Sequence, residues 1–245
     1  MTTFSRLLDG LLRTEPGRPL VTFYDHATGE RVELSVTTYA NWVAKAASLL
    51  VEEHDLERGG TLRVDLPTHW LGPVFLGAAW AAGLVVTDDD EADAVVCGPG
   101  TLARWAAAAD DVPVLACSLL PMGVRFADPL PAGVHDVGVE IWSQPDSFIP
   151  WDPPTPDDPA LSWAGVTTTQ AQLWETAAAG SLLTDGGRLL SEANPASPPG
   201  IASFAEPLAR SGSLVLVAHA DPERLEATYA AERATARFPR GNHQD

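Results

Sequence analysis

The densest set of groups that could hold a cation is the run TDDDEAD, Thr87 to Asp93. A calcium or magnesium loop spaces its oxygens at regular offsets around a turn glycine. Asp88, Asp89 and Asp90 are instead consecutive, and no glycine follows before Gly98. The run therefore reads as a solvated acidic linker between two strands, with no metal expected. The six histidines (His26, His54, His69, His135, His219 and His243) show neither H-x-x-x-H nor H-E-x-x-H spacing, so no locally built zinc site is expected. Cys97 and Cys117 each end a short apolar run, the setting of a buried free thiol. The chain has no G-x-S-x-G elbow, and PASPPG reads as a turn.

A second stretch bears on anion chemistry: DDPALSWAGVTTTQAQL, residues 157–173. A phosphate cradle combines glycines, whose backbone N–H groups approach the anion, with hydroxyls and a cation. Here Ala164 and Gly165 are followed at once by Val166, and Thr167, Thr168 and Thr169 fit the start of a helix better than a ligand set. The expectation is a direct strand-to-helix turn between Trp163 and Thr169, without a nest of free amides. Ala164, Gly165 and Thr167 remain weak candidates for contact with a ligand. So do Trp142 and Trp151, which stand in or near a proline-rich connector and read as a pocket rim or partner surface. Trp42, Trp70, Trp80, Trp105, Trp163 and Trp174 fall on predicted helices or strands, where packing explains them.

These residues must be positioned by alternating elements. Phe4, Leu7, Leu8, Leu11 and Leu12 share one helical face. PLVTFYD and ERVELS form a predicted hairpin with Gly29 in its turn. TTYANWVAKAASLLVEE is a predicted helix with Thr37 as its cap, GGTLRVDLP a strand, THWLGPVFLGAAWAAG a helix apolar nearly all round, and LVVT a strand. ADAVVCG, TLARWAAAADD and VPVLACSLL continue the alternation. After the proline-rich segment it resumes: PALSWAG strand, TTTQAQLWETAAAGSLL helix, GRLLSE strand, GIASFAEPLARSG helix interrupted by Pro207, and SLVLVAH strand. DPERLEATYAAERATARF, with Asp221 as cap and Pro222 in the first turn, closes the series as a helix. The pattern is α/β, with mainly parallel sheets and helices on both faces. The expected division is a first lobe over 1–130, a connector over 131–159, a second lobe over 160–237 and a disordered tail over 238–245.

At 245 residues and 45% hydrophobic content the chain can bury a sizeable core. A net charge of −18, with Lys45 the sole lysine, disfavours nucleic acid and anionic membrane as partners. No signal peptide and no spanning run is read, so a cytoplasmic location is the expectation.

The order of these segments resembles the N-terminal half of the adenylate-forming superfamily, the AMP-dependent synthetases, ligases and acyl-CoA synthetases. TTYANWVAKAASLLVEEHDLERGGTLRVDLPTHWLGPVFLGAAWAAGLVV is similar to that family's T-Y-x-E-L helix, G-D-x-V strand, L-P-N strand end and A-G-x-V-V helix end. DDPALSWAGVTTTQAQL is similar to the flanks of its phosphate loop, and SGSLVLVAHADPERLEATYAAERAT to its later strand and helix. The chain also resembles short actinobacterial proteins with marginal similarity to AMP-binding enzymes. The resemblance implies a loop of the form T-S-G-T-T-G-x-P-K-G, of which Ala164 and Gly165 match only S-G, leaving about seven residues absent. It implies a histidine near NPASPPG, where Ser197 and Pro198 stand. The Y-G-x-T-E, T-G-D and catalytic-lysine motifs do not occur. Neither adenylation by this chain nor a bound cofactor is expected. Three functions stay open: a pseudoenzyme-like binding or regulatory protein, a ligase with a residual acyl or adenylate site completed by a partner chain, and a structural interaction subunit. The expected partner is a small molecule or protein, or a second copy in a homodimer covering an apolar face.

Overall fold

The computed structural model describes residues 2–239. Chain order runs α1 (Phe4–Thr14), β1 (Pro19–Asp25), β2 (Arg31–Ser35), α2 (Val36–Ser48), β3 (Thr61–Asp65), α3 (Leu71–Ala82), β4 (Val85–Thr87), β5 (Ala94–Cys97), α4 (Leu102–Trp105) and β6 (Val114–Ala116). It continues with β7 (Val134–Asp136), α5 (Val137–Glu140), β8 (Pro159–Trp163), β9 (Val166–Thr169), α6 (Gln170–Ala178), β10 (Arg188–Ser191), α7 (Ala202–Ala209), β11 (Ser213–Ala218), α8 (Pro222–Ala231) and β12 (Ala236–Phe238). A π-helical turn, Leu49–Glu53, extends α2.

The strands form two sheets, ordered β12-β10-β11-β1-β2 and β7-β6-β5-β3-β4-β8-β9. Pairing is parallel throughout except at the edges β1–β2 and β8–β9, so the expected α/β class holds. Strands covered on both faces read as unbroken apolar runs, and β5 and β11 are buried at every position. Alternate residues still serve different layers. Leu214 and Leu216 of β11, with Ala94 and Val96 of β5, enter one large core shared with α1, α2, α3, α6 and α7. Val215 and Val217 pack outward beside Leu225 of α8. Val95 and Cys97 pack outward beside Trp105 of α4.

Sheet membership cuts across the division expected at the connector. β1 and β2, from the first segment, pair in the sheet of β10–β12, while β8 and β9, from beyond the connector, close the sheet of β3–β7. The connector itself carries β7 and α5. Other local expectations shift as well. Ser35, not Thr37, caps α2, its side chain accepting from the Thr38 N–H at 3.1 Å. The last predicted helix ends at Ala231, and its final residues instead supply β12 as an edge strand. Phe238 belongs to that strand; the rest of the expected tail from residue 240 onward lies outside the described residues.

α3 is the centre of the shared core. All twelve of its residues are buried, and Gly83 in the left-handed region ends it. Its close neighbours meet at Gly77, where an added Cβ would stand 2.2 Å from Tyr39 Oη and 2.8 Å from both Phe4 Cζ and Val43 Cγ2. Tyr39 meanwhile donates its hydroxyl to the Pro73 carbonyl at 2.9 Å. In Gly77→Ala a helix-propensity gain of about 1 kcal/mol opposes an overpacking cost of about 1–3 kcal/mol. Because a Tyr39 oxygen fixed by its own hydrogen bond blocks the new methyl, the cost wins. Urea denaturation of Gly77→Ala should show a net loss of up to about 2 kcal/mol.

Candidate functional site

The stretch 157–173, which resembles the flanks of a phosphate loop, forms a tight hairpin. Trp163 of β8 pairs directly with Val166 of β9, leaving only Ala164 and Gly165 between the strands. Both have positive φ, 50° and 74°, the conformation of a two-residue hairpin turn that matches strand twist. The expected direct strand-to-helix turn is thus corrected. Val166 to Thr169 form a strand, and the helix starts one step later with Thr169 as N-cap in a capping box with Gln172. The physical reason is that a cap residue has extended backbone, so threonines before a cap are free to pair as a strand. The Ala164 N–H is occupied: both Asp88 carboxylate oxygens accept from it at 3.1 Å. Asp88, Asp89 and Asp90 are exposed, as expected of a linker. Arg63 and Arg104 both pair with Asp90, at 3.0 and 2.5 Å. Thr167 is exposed on β9.

Trp142 lies elsewhere, in an apolar cavity of about 300 Å³ walled by Trp42, Trp70, Met122, Val32 and Leu34. Trp42 stands edge-on to both Trp70 and Trp142, with ring centroids 4.9 and 5.5 Å apart. α2 presents Thr38, Asn41, Trp42 and Lys45 to this cavity, a helical i, i+3, i+4, i+7 face. Lys45 is neutralised there by Asp146 at 3.1 Å and also donates to the Gln144 carbonyl. The indole N–H of Trp70 is buried and finds no acceptor among the described residues. A buried donor without a partner carries a desolvation cost that a ligand acceptor would remove. Sequence reasoning assigned Trp42 and Trp70 to packing; the signal available was Trp42 and Lys45 on one helix face.

Trp151 is 96% exposed and borders a different cleft of about 470 Å³ with Phe148 and Arg58. That cleft is larger, but its main cation is committed. Arg58 makes a two-pronged contact with Asp158 at 2.9 and 2.7 Å and a third with Asp152 at 2.7 Å. The cleft therefore offers a ligand less unpaired chemistry than the tryptophan cavity. Ala164, Gly165 and Thr167 share one hairpin; Trp142 and Trp151 join separate cavities.

Two of the scattered histidines meet at one carboxylate. His54 Nε2 lies 3.2 Å from one Glu140 oxygen and His135 Nδ1 3.0 Å from the other. Burial, with His135 close by, holds the His54 imidazole below its usual range. Neither cysteine is disposed to react. Both are free and buried, and burial pushes Cys97 up to about 12 and Cys117 upward as well.

The chain is 37% identical over 243 residues to a TIGR03089 family protein of Mycobacterium tuberculosis (strain ATCC 25618 / H37Rv), across 96% of this chain and 97% of that one. It belongs to the TIGR03089 family. No protein-family model matches the chain. Among solved structures, this TIGR03089 chain is similar to an acyl-CoA synthetase of Brucella canis, with a TM-score of 0.81 at 15% identity over 96% of this chain and 47% of that one. It is similar to the N-terminal domain of FACL13 from Mycobacterium tuberculosis (0.72, 15%, 96% and 62%) and to a benzoate CoA ligase from Burkholderia xenovorans LB400 (0.74, 16%, 96% and 49%). At these identities the likeness is one of fold, that of the N-terminal part of adenylate-forming enzymes. The chain spans between 47% and 62% of the length of these structures. Among the described residues no helix is long and apolar enough to cross a membrane.

His69 sets the wall of the tryptophan cavity from behind. Its ring packs on Phe23 at 4.9 Å and Trp70 at 5.4 Å, and its Nδ1 accepts from the Leu71 N–H at 3.3 Å. Burial drives its pKa down to about 4, only partly countered by Asp25. Unfolded, it titrates near 6.5. Its contribution is therefore complete above about pH 6.5 and is lost as pH falls toward 4, a change of about 3 kcal/mol. Urea midpoints measured from pH 7.5 down to 4.5 should fall, and His69→Gln, which keeps an acceptor but cannot titrate, should flatten that slope.

Proposed function

We propose that this protein is a non-adenylating binding or regulatory protein that uses an adenylate-forming-type scaffold without its nucleotide chemistry. One observation carries the reading: the two-residue turn Ala164-Gly165, whose amide is already held by the Asp88 carboxylate. A nucleotide phosphate approaching this turn would meet a carboxylate where a cradle would offer free N–H donors. The net charge of −18 opposes it further. The ligand class that fits is an apolar, ring-bearing small molecule, or an apolar side chain of a protein partner, seated among Trp42, Trp70 and Trp142. Two free, buried cysteines are compatible with a cytoplasmic location.

A second reading, the interaction subunit, is favoured by exposed apolar side chains in the connector and in the segment just before it. Met122, Trp142, Ile149 and Trp151 are 70%, 51%, 88% and 96% exposed. Large apolar side chains gathered in one segment mark association surfaces. Light scattering that finds a homodimer would support that reading, and a strictly monomeric species would count against it.

Thermal shift with ATP and AMP, with and without magnesium, tests the main proposal. A ligand at 100 times its Kd stabilises a fold by about 2.7 kcal/mol, which a melting curve resolves. No shift is expected with either nucleotide. A reproducible, magnesium-dependent rise would overturn the proposal in favour of a ligase with a surviving adenylate site.

A further inference from the structure

We propose that His54, His135 and Glu140 form a site for one divalent first-row transition-metal ion, with zinc the best match. His54 follows the π-helical turn that extends α2, His135 is the middle residue of β7, and Glu140 ends α5. One ligand atom from each residue, a ring nitrogen of either histidine and a Glu140 carboxylate oxygen, can be chosen so that all three lie within 4.8 Å of one another. In a tetrahedral zinc centre with bonds near 2.0–2.1 Å, the donor atoms stand about 3.3 Å apart. Each histidine already stands near that spacing from one of the two Glu140 oxygens, His54 Nε2 at 3.2 Å from one and His135 Nδ1 at 3.0 Å from the other. The two rings meet edge to face with centroids 4.3 Å apart, so a modest swing brings both nitrogens onto one ion.

The donor set decides the chemistry. Two imidazoles and one carboxylate, with no thiolate, suit zinc and its divalent neighbours; they suit neither calcium, which takes six to eight oxygens, nor a soft cuprous ion. Three protein ligands leave a fourth position for water or an exogenous group. Access differs across the cluster. The His54 side chain is 4% exposed and fixes the inner wall, while those of His135 and Glu140 are 39% and 27% exposed and give the ion a path in. A bound ion would fasten β7 and α5 to the end of α2, two residues before Trp142 enters the tryptophan cavity. Without an ion the same three groups form a hydrogen-bonded cluster, both rings donating to Glu140, and the experiment must separate the two states.

Tag-free protein, stripped of metal by chelation, is titrated with zinc chloride by calorimetry near pH 7.5, and cobalt(II) absorption serves as a second readout. Saturable one-to-one binding in the micromolar range or tighter is expected, with the visible bands of a four-coordinate cobalt site. His135→Ala and Glu140→Gln should each weaken binding by about tenfold or more, since losing even an outer-shell partner costs that much. Both positions are partly exposed, and circular dichroism checks that each variant folds. Absence of one-to-one binding by the intact protein would overturn the proposal. Affinity unchanged from that of the intact protein in both variants would do so too.

Discussion

Everything else in this molecule is arranged around the burial of α3. A helix without a polar face has no stable position at a surface, so other elements must cover it on all sides. Here α1 and α2 close over it at Gly77, the ring of Trp80 packs against Trp174 and Phe204, and both sheets turn one face toward the same core. Small residues along α3 let backbones come near, and that closeness leaves almost no free volume for change.

One polar side chain links the covering elements. Gln170, fully buried at the start of α6, donates to the Trp80 carbonyl at 3.1 Å, while its own oxygen accepts from the Phe4 N–H at 3.1 Å and the Trp174 indole at 2.9 Å. The Phe4 amide is one of the unpaired donors every helix start carries. A single amide group thereby supplies α1 with a partner, holds α6 and ties both to α3. A buried network of this kind constrains more than its individual bonds suggest, because removing one member leaves the others unpaired. The hairpin β8–β9 leads straight into Gln170, so the Ala164-Gly165 turn is anchored to the core one residue beyond its second strand.

Much of the element order was legible because periodicity is a local property. The all-apolar α3, the β1–β2 hairpin around Gly29 and the Asp221-Pro222 start of α8 were each written in adjacent residues. What escaped was set by partners far along the chain or by ambiguous chemistry. Thr167 to Thr169 serve equally as strand residues and as an approach to a cap, and only pairing with Ser162, Leu161 and Pro159 decides between them. β12 follows a helix without a glycine or proline to mark the break, and it exists because Leu189 to Ser191 offer an open edge. The assignment of strands to sheets is a tertiary choice with no local signal. So is the meeting of His54 with His135 and Glu140, whose separation in sequence hides them from any spacing rule. The Trp42 face could have been found, had the lysine one turn away been weighed beside it.

The crossing of chain segments between sheets has a consequence for synthesis. β1 is among the first strands made, yet its parallel neighbour β11 is among the last, with Val21 set beside Leu214. The second sheet, by contrast, has all its strands by Thr169. During translation the early hairpin therefore waits with one edge of backbone N–H and C=O groups unpaired while most of the chain follows, and such edges recruit other strands. The seven-stranded sheet is the unit able to assemble while the chain is still growing, and the five-stranded sheet closes only when β11 arrives. Crowded nascent chains would meet through β1, which makes the rate of elongation, and not only the final stability, a determinant of yield.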